Sequence, residues 1–173
     1  MTARRLILLR HTEAAPAPFG DFSEEADLAR PLTQRGEETA QRCHLWLQER
    51  MPVPDYVLCS PAQRTRQTLS VVVPQPHKPV IFSAQLYNAS WQSLLQNIQA
   101  TPDYAQTILL VGHNPGISEL ARILASRDSQ TECDFTPGAL AIFSLWKCDS
   151  SPVSLGWSDC DALSLSLDTF SRP

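Results

Sequence analysis

Three short segments, far apart in the chain, carry residue types that handle phosphate. Arg10-His11 follows the apolar run Leu6-Ile7-Leu8-Leu9. Ser60 follows Tyr56-Val57-Leu58-Cys59, with Arg64 one turn into the next predicted helix. His113 follows Thr107-Ile108-Leu109-Leu110-Val111-Gly112. Ligands of open α/β sheets bind outside the carboxyl ends of the strands, so these three strand ends have a physical reason to converge. Arginine suits bidentate recognition of phosphoryl oxygens. Neutral imidazole is a competent nucleophile near pH 7, and a second imidazole supplies or stabilises a proton. Ser60-Pro61 and Asn114-Pro115 look like helix starts, whose free N–H groups favour anions. Two arginines, two histidines and two helix starts describe a site for a dianion, most simply a phosphoryl group. Arg66 lies about 200° around the helix from Arg64 at 3.6 residues per turn, so it is expected to be solvated or salt-bridged. His44 and His77 read as a helix-face and a loop residue. Glu13, Asp21 and Asp27 read as solvated loop or cap carboxylates.

The elements that must position these residues follow from periodicity. The runs at Leu6–Leu9, Tyr56–Cys59 and Thr107–Gly112 are strands of the kind buried on both faces, and Val80–Phe82 is a weaker one. Thr33 predicts an N-cap for a helix whose stripe is Ala40, Cys43, His44 and Leu47, ending before Pro52. Ser60-Pro61-Ala62-Gln63 predicts a capped helix running to about Val71, with Gln63 completing a capping box. Trp91, Leu94, Leu95 and Ile98 mark a helix ended by Pro102. Asn114-Pro115 opens another, with Ile117, Leu120, Ala121 and Leu124 on its apolar face. Ala139–Trp146 and Val153–Trp157 read as strands joined by a polar turn, and the segment from Ser158 onward carries no clear pattern. Strands alternating with helices predict an α/β domain, a three-layer α/β/α sandwich around a mostly parallel sheet.

Composition narrows the class. The 173 residues are 43% apolar and 18% charged, which suits one globular domain over residues 1–173. No apolar run approaches the ~20 residues needed to span a bilayer, so no membrane association is expected. The start of the chain resembles a signal peptide, but the four-residue core Leu6–Leu9 falls short of the usual ~7–15. The formal charge is −4 and the lysines are Lys78 and Lys147. No basic patch is visible, so a nucleic-acid partner is not expected. Cys43, Cys59, Cys133, Cys148 and Cys160 are widely spaced without a C-x-x-C. They predict buried thiols in a reducing, cytoplasmic setting rather than disulfides or a zinc site.

Four stretches, in this order, carry a family resemblance. They are Arg10-His11-Thr12, Arg30-Pro31-Leu32-Thr33-Gln34-Arg35-Gly36, the run from Cys59 to Thr68 (CSPAQRTRQT), and Val111-Gly112-His113-Asn114-Pro115. Arg10-His11-Thr12 resembles the R-H-G signature of the histidine phosphatase superfamily, also called the phosphoglycerate mutase-like fold. With Leu86-Tyr87-Asn88-Ala89-Ser90 the whole chain looks most like its small SixA-type branch, the phosphohistidine phosphatases. The resemblance implies that His11 is the nucleophile that becomes phosphorylated. It implies that Arg10 and Arg64 grip the phosphoryl oxygens, and that His113 binds the transferring group and stabilises its charge. Asn114 is a further candidate phosphate ligand. Neither a metal nor another cofactor is expected, because arginines and helix ends neutralise the charge and phosphoryl transfer is mostly positioning and charge stabilisation.

Two departures from the pattern matter. Thr12 stands where the signature has Gly, and its side chain is expected either to crowd the pocket or to add a hydroxyl donor. The carboxylic acid that larger relatives carry has no match in Leu86-Tyr87-Asn88-Ala89. An alkoxide leaving group needs a proton donor, whereas imidazole is a far weaker base. The missing acid, and the short Arg64–His113 stretch without a lid insertion, favour a phosphohistidine-containing protein, such as a phosphotransfer domain, as substrate. The alternatives are a small-molecule phosphomonoesterase acting on a phosphorylated metabolite, with Glu13 or Asp21 as acid, and a catalytically silent phosphate-binding module.

Overall fold

The computed structural model describes residues 4–51, 53–75, 80–125, 134–145 and 156–173. A six-stranded sheet is built from β1 (Arg4–Arg10), β2 (Tyr56–Cys59), β3 (Val80–Phe82), β4 (Thr107–Gly112), β5 (Leu140–Leu145) and β6 (Leu165–Ser171), in the order β3-β2-β4-β1-β5-β6. β1 pairs in parallel with β4, β4 with β2, and β2 with β3. β5 runs antiparallel to both β1 and β6. The helices are α1 (Glu24–Leu28), α2 (Gln34–Arg50), α3 (Gln63–Val72), α4 (Trp91–Gln99) and α5 (Gly116–Leu124).

Leu6, Ile7, Leu8 and Leu9 are all fully buried, because β1 is covered on both faces. Alternate side chains of a strand point to opposite faces. Leu6 and Leu8 therefore join Leu58, Ile108 and Leu110 against α4 and α5. Ile7 and Leu9 join Val57, Cys59, Leu109 and Val111 against α2 and α3. These two cores separate the three layers, as the alternation of strands and helices predicts.

Local chemistry sets the ends. Thr33 Oγ1 accepts from the Gly36 N–H at 3.0 Å, the cap read from sequence. A Cβ on Gly36 would sit 2.1 Å from the Glu13 carbonyl oxygen, and one on Gly116 would sit 2.0 Å from that of Ala89. These glycines let α2 and α5 start against the segments that follow β1 and precede α4.

Other expectations need correction. Ser60 does not cap α3: the helix starts at Gln63 after Ala62, without a side-chain cap. Ser60 Oγ lies 3.5 Å from the Ala62 nitrogen but 2.7 Å from His113 Nε2, so the hydroxyl serves the site instead. Pro115, not Asn114, precedes α5, after a cis Asn114–Pro115 bond. The Asn114 amide donates to the Phe135 carbonyl at 2.9 Å and accepts from Ser118 at 2.9 Å. Trp157 lies in a short 3-10 turn, its indole N–H bonded to the Ala105 carbonyl at 2.9 Å. Trp146 and Val153–Leu155 fall outside the described residues. β6, within the segment that showed no pattern, is an added edge strand.

Candidate active site

The carboxyl ends of β1, β2 and β4 meet at a cavity of about 520 Å³. Arg10, His11, Arg64, His113 and Asn114 all line it, together with Phe22, Ser23, Glu24, Asp27, Arg30, Tyr87 and Asn88. Chain segments 100 residues apart are adjacent because β1 and β4 pair, with Arg10 opposite Gly112.

His11 is held by its backbone and its ring. Its N–H donates to the Gly112 carbonyl at 3.1 Å. Nδ1 lies 2.7 Å from the Thr12 carbonyl oxygen. A carbonyl only accepts, so the proton sits on Nδ1 and the lone pair is on Nε2. Burial lowers the His11 pKa to about 4, helped by the positive charges of Arg64, Arg10 and Arg30 and opposed by the Thr12 hydrogen bond. The ring is therefore neutral and nucleophilic at pH 7. Thr12 neither crowds the cavity nor offers it a donor. Its side chain is buried, its N–H donates to Thr68 Oγ1 at 3.1 Å, and the two hydroxyls are 3.2 Å apart.

His113 stands beside His11, ring centroids 5.1 Å apart, and edge-on to Tyr87 at 5.5 Å. Nε2 bonds Ser60 Oγ, while Nδ1 is buried without a hydrogen-bond partner. Ser60 donating to Nε2 satisfies the hydroxyl and leaves Nδ1 protonated. The unpartnered Nδ1–H is then a donor to whatever anion fills the cavity. Burial first, then the His11, Arg64 and Arg10 charges, lowers the His113 pKa to about 3, against the opposing pull of Asp27.

Arg10 donates from Nη1 to the Phe135 carbonyl at 2.7 Å, and its Nε is buried without a partner. Arg64 is buried, 3% exposed. It donates to the Asp27 carbonyl oxygen at 2.6 Å and to Asp27 Oδ2 at 2.9 Å. Arg30 donates to Asp27 Oδ1 at 2.9 Å and to the Ala15 carbonyl at 2.7 Å. The Tyr87 hydroxyl donates to Asp27 Oδ2 at 2.5 Å.

Asp27 is thus the hub of the wall and not a solvated carboxylate. Burial would raise its pKa, but the bonds from Tyr87, Arg30 and Arg64 outweigh this and hold it well below the carboxylate range. Sequence reading missed the roles of Asp27, Arg30, Tyr87 and Ser60. The signal for the first two was their i, i+3 spacing, which lets the carboxylate and the guanidinium pair across the end of α1. The other carboxylates weighed from sequence lie outside the cavity lining. Glu13 accepts from the Thr33 hydroxyl at 2.8 Å, and Asp21 accepts from Ser23 at 2.7 Å. Arg66 is exposed, stacked 4.3 Å over Phe82. His44 Nδ1 donates to the Val72 carbonyl at 2.9 Å. His77 lies outside the described residues. Among the described residues no three His, Cys, Asp or Glu side chains cluster as metal ligands, and no helix is long and apolar enough to cross a membrane.

A neutral imidazole nucleophile, a second imidazole and orphan N–H donors around one cavity are suited to taking up a phosphoryl group. Comparison with known proteins agrees. An uncharacterised protein of Mycobacterium tuberculosis is 40% identical over 101 residues, 58% of this chain and 63% of that protein. The match thus spans less than two thirds of that relative's length. A structure described as a candidate phosphohistidine phosphatase SixA from Nakamurella multipartitia is 29% identical, with a TM-score of 0.82 over 100% of this chain and 98% of that one. One so described from Agrobacterium tumefaciens is 25% identical, with a TM-score of 0.78 over 100% of both chains. The architecture is therefore the phosphoglycerate mutase-like fold. With residues 6–107 matching the family model of the histidine phosphatase superfamily, branch 1, the chain belongs to that superfamily of phosphatases.

Proposed function

We propose that this protein is a cytoplasmic phosphohistidine phosphatase acting through a covalent phospho-His11 intermediate, without a metal or other cofactor. The observation that carries the choice of substrate is the state of the cavity's carboxylates. Asp27 is held ionised by Arg30, Arg64 and Tyr87, and Glu24 stands exposed at the rim. The Tyr87 hydroxyl is itself committed to Asp27, and burial with that carboxylate raises its pKa. Neither Asp27 nor Tyr87 is therefore free to protonate an alkoxide. A phosphohistidine ring that already carries a proton on its distal nitrogen leaves as neutral imidazole, whose conjugate acid has a pKa of about 6.5, so it departs without an acid from the protein. The two SixA-described relatives support the same substrate class. The free, buried Cys43, Cys59 and Cys160 suit a reducing compartment.

In the reaction, His11 Nε2 attacks phosphorus in line with the substrate's P–N bond. The P–N bond breaks, its electron pair goes to the substrate nitrogen, the ring leaves as neutral imidazole because its distal nitrogen already carries a proton, and the phosphoryl group rests on His11. The Arg10 Nε–H and the His113 Nδ1–H donate to its oxygens, and Arg64 supplies charge from the wall. Water then attacks phosphorus, the His11–phosphorus bond breaks and returns the pair to Nε2, and inorganic phosphate leaves with the water's oxygen.

The test is phosphate release, in chelator, from a phosphohistidine protein and from a panel of phosphomonoesters, with wild type and His11→Ala. Preference for the phosphohistidine protein, lost in His11→Ala, is expected. Preference for monoesters would overturn the reading and make Glu24, the rim carboxylate, the acid of a small-molecule phosphomonoesterase. Phosphate bound but never released would leave a silent binding module.

A further inference from the structure

Phe19 and Phe22 are fully exposed, at 107% and 97% of their reference areas, where a large apolar side chain calls for an explanation. Their presentation is built. The Asp21 N–H donates to the Pro18 carbonyl at 3.1 Å, and Gly20 has φ +81°. This is a turn with glycine in the left-handed position, and it carries Phe19 at its corner. Asp21 Oδ1 then accepts from the Ser23 N–H at 3.0 Å, and Ser23 caps α1 through the Ala26 N–H at 3.1 Å. Asp27, at the end of α1, ties the whole segment to Arg30 and Arg64. The two aromatics are held outward by a chain of hydrogen bonds that ends in the catalytic cavity.

Phe22 lines the mouth of that cavity, and Phe19 lies beyond its lining. A ligand touching both must leave the cavity and continue over the surface, which a small phosphorylated molecule does not do. Asp21, Glu24 and Glu25 stand exposed beside the aromatics, while the cavity floor is arginine. We infer that the Pro18–Ser23 turn is a docking ridge for a protein substrate. That substrate's phosphohistidine would be set in an apolar patch bordered by Lys or Arg. The inference rests on the phosphohistidine reading above. The phosphoryl group enters toward His11, the apolar patch covers Phe19 and Phe22, and the basic border meets the acidic rim. An apolar anchor surrounded by complementary charge is the usual anatomy of a specific protein contact.

The test compares two probes, a phosphotransfer domain carrying phosphohistidine and free phosphohistidine, on wild type and Phe19→Ala. Truncating an aromatic anchor commonly weakens binding about tenfold or more. KM for the domain is expected to rise by about that factor with kcat unchanged, while kcat/KM for free phosphohistidine stays the same. The pair Phe19→Ala/Phe22→Ala is expected to raise KM for the domain further, and Phe19→Leu to recover part of it. Unchanged KM for the domain in Phe19→Ala, or an equal loss on free phosphohistidine, would overturn the docking role while leaving the substrate class intact. Failure of the wild type on both probes would overturn the substrate class, and the docking role with it.

Discussion

Replacing Asp27 by Asn removes the charge that Arg30, Arg64 and Tyr87 share. Exposed ion pairs are worth about 0.2–1 kcal/mol, and stripping one partner from a buried pair costs about 3–5. The Arg64 side chain is 4% exposed and that of Asp27 is 31%, so the loss falls between these limits, at about 2 kcal/mol. For a chain of this size that is a fall in Tm of roughly 4–8 °C. The pH dependence has a definite sign. The folded Asp27 carboxyl titrates below its unfolded value, so its contribution is complete above the unfolded pKa of about 3.9 and fades as pH drops below it. At pH 3 the folded carboxylate is still ionised and the unfolded one largely protonated, which removes about 1.2 kcal/mol of the difference. Urea unfolding of wild type and Asp27→Asn at pH 7 and pH 3, with sucrose keeping both folded in acid, reads this directly. Catalysis should fall too, because a misplacement of about 1 Å in a clamp residue costs about 100-fold. A difference below about 0.5 kcal/mol at pH 7, within the range of an ordinary surface change, would refute the hub role of Asp27. So would a difference that stayed constant down to pH 3.

The two buried histidines act in the same sense as the paired carboxylate, but in a higher pH window. Their folded pKa values are lowered to about 4 and about 3, so the unfolded state binds more protons around and below pH 6.5 and stability is lost as pH is lowered. Between pH 7 and pH 5 the loss is about 4 kcal/mol in total, and His11→Ala should remove about half of that slope in urea melts. Gly116→Ala puts a Cβ 2.0 Å from the Ala89 carbonyl oxygen. It should cost about 1–3 kcal/mol by calorimetry, as overpacking does, and lower activity by shifting the neighbouring Tyr87. Cys59 is buried and its thiol pKa is pushed up to about 12 by burial. Peptide mapping after iodoacetamide at pH 8 should find it unmodified in the folded protein and modified in urea.

Much of the frame was legible because of where burial falls. β1, β2 and β4 are covered on both faces, so Leu6–Leu9, Val57–Cys59 and Ile108–Val111 form unbroken apolar runs. Arg10, His11, Arg64 and His113 stood out because polar residues directly after such runs, or in the next turn, mark strand ends. β6 was not legible because it is an edge strand whose residues are mostly half-exposed. α1 spans five residues and buries none of them, so it carries no periodic signal. The importance of Asp27 comes from partners 37 and 60 residues away in sequence. The same holds for Ser60, which looked like a cap by local rules and is drawn instead to His113, 53 residues on. Local pattern found Arg10, His11, Arg64 and His113, which line the cavity, and tertiary pairing revealed the residues that hold them.

In the mechanism proposed above, phosphoryl transfer to His11 proceeds without an acid from the protein for the leaving group. The most direct test is kcat/KM across substituted phenyl phosphates whose phenols span a wide range of acidity, extended to an alkyl phosphate. A loose transition state without an acid places charge on the departing oxygen. A steep fall in kcat/KM as leaving-group pKa rises, unchanged in Glu24→Gln, is expected. A flat dependence in wild type that turns steep in Glu24→Gln would contradict it, identifying the rim carboxylate as the acid.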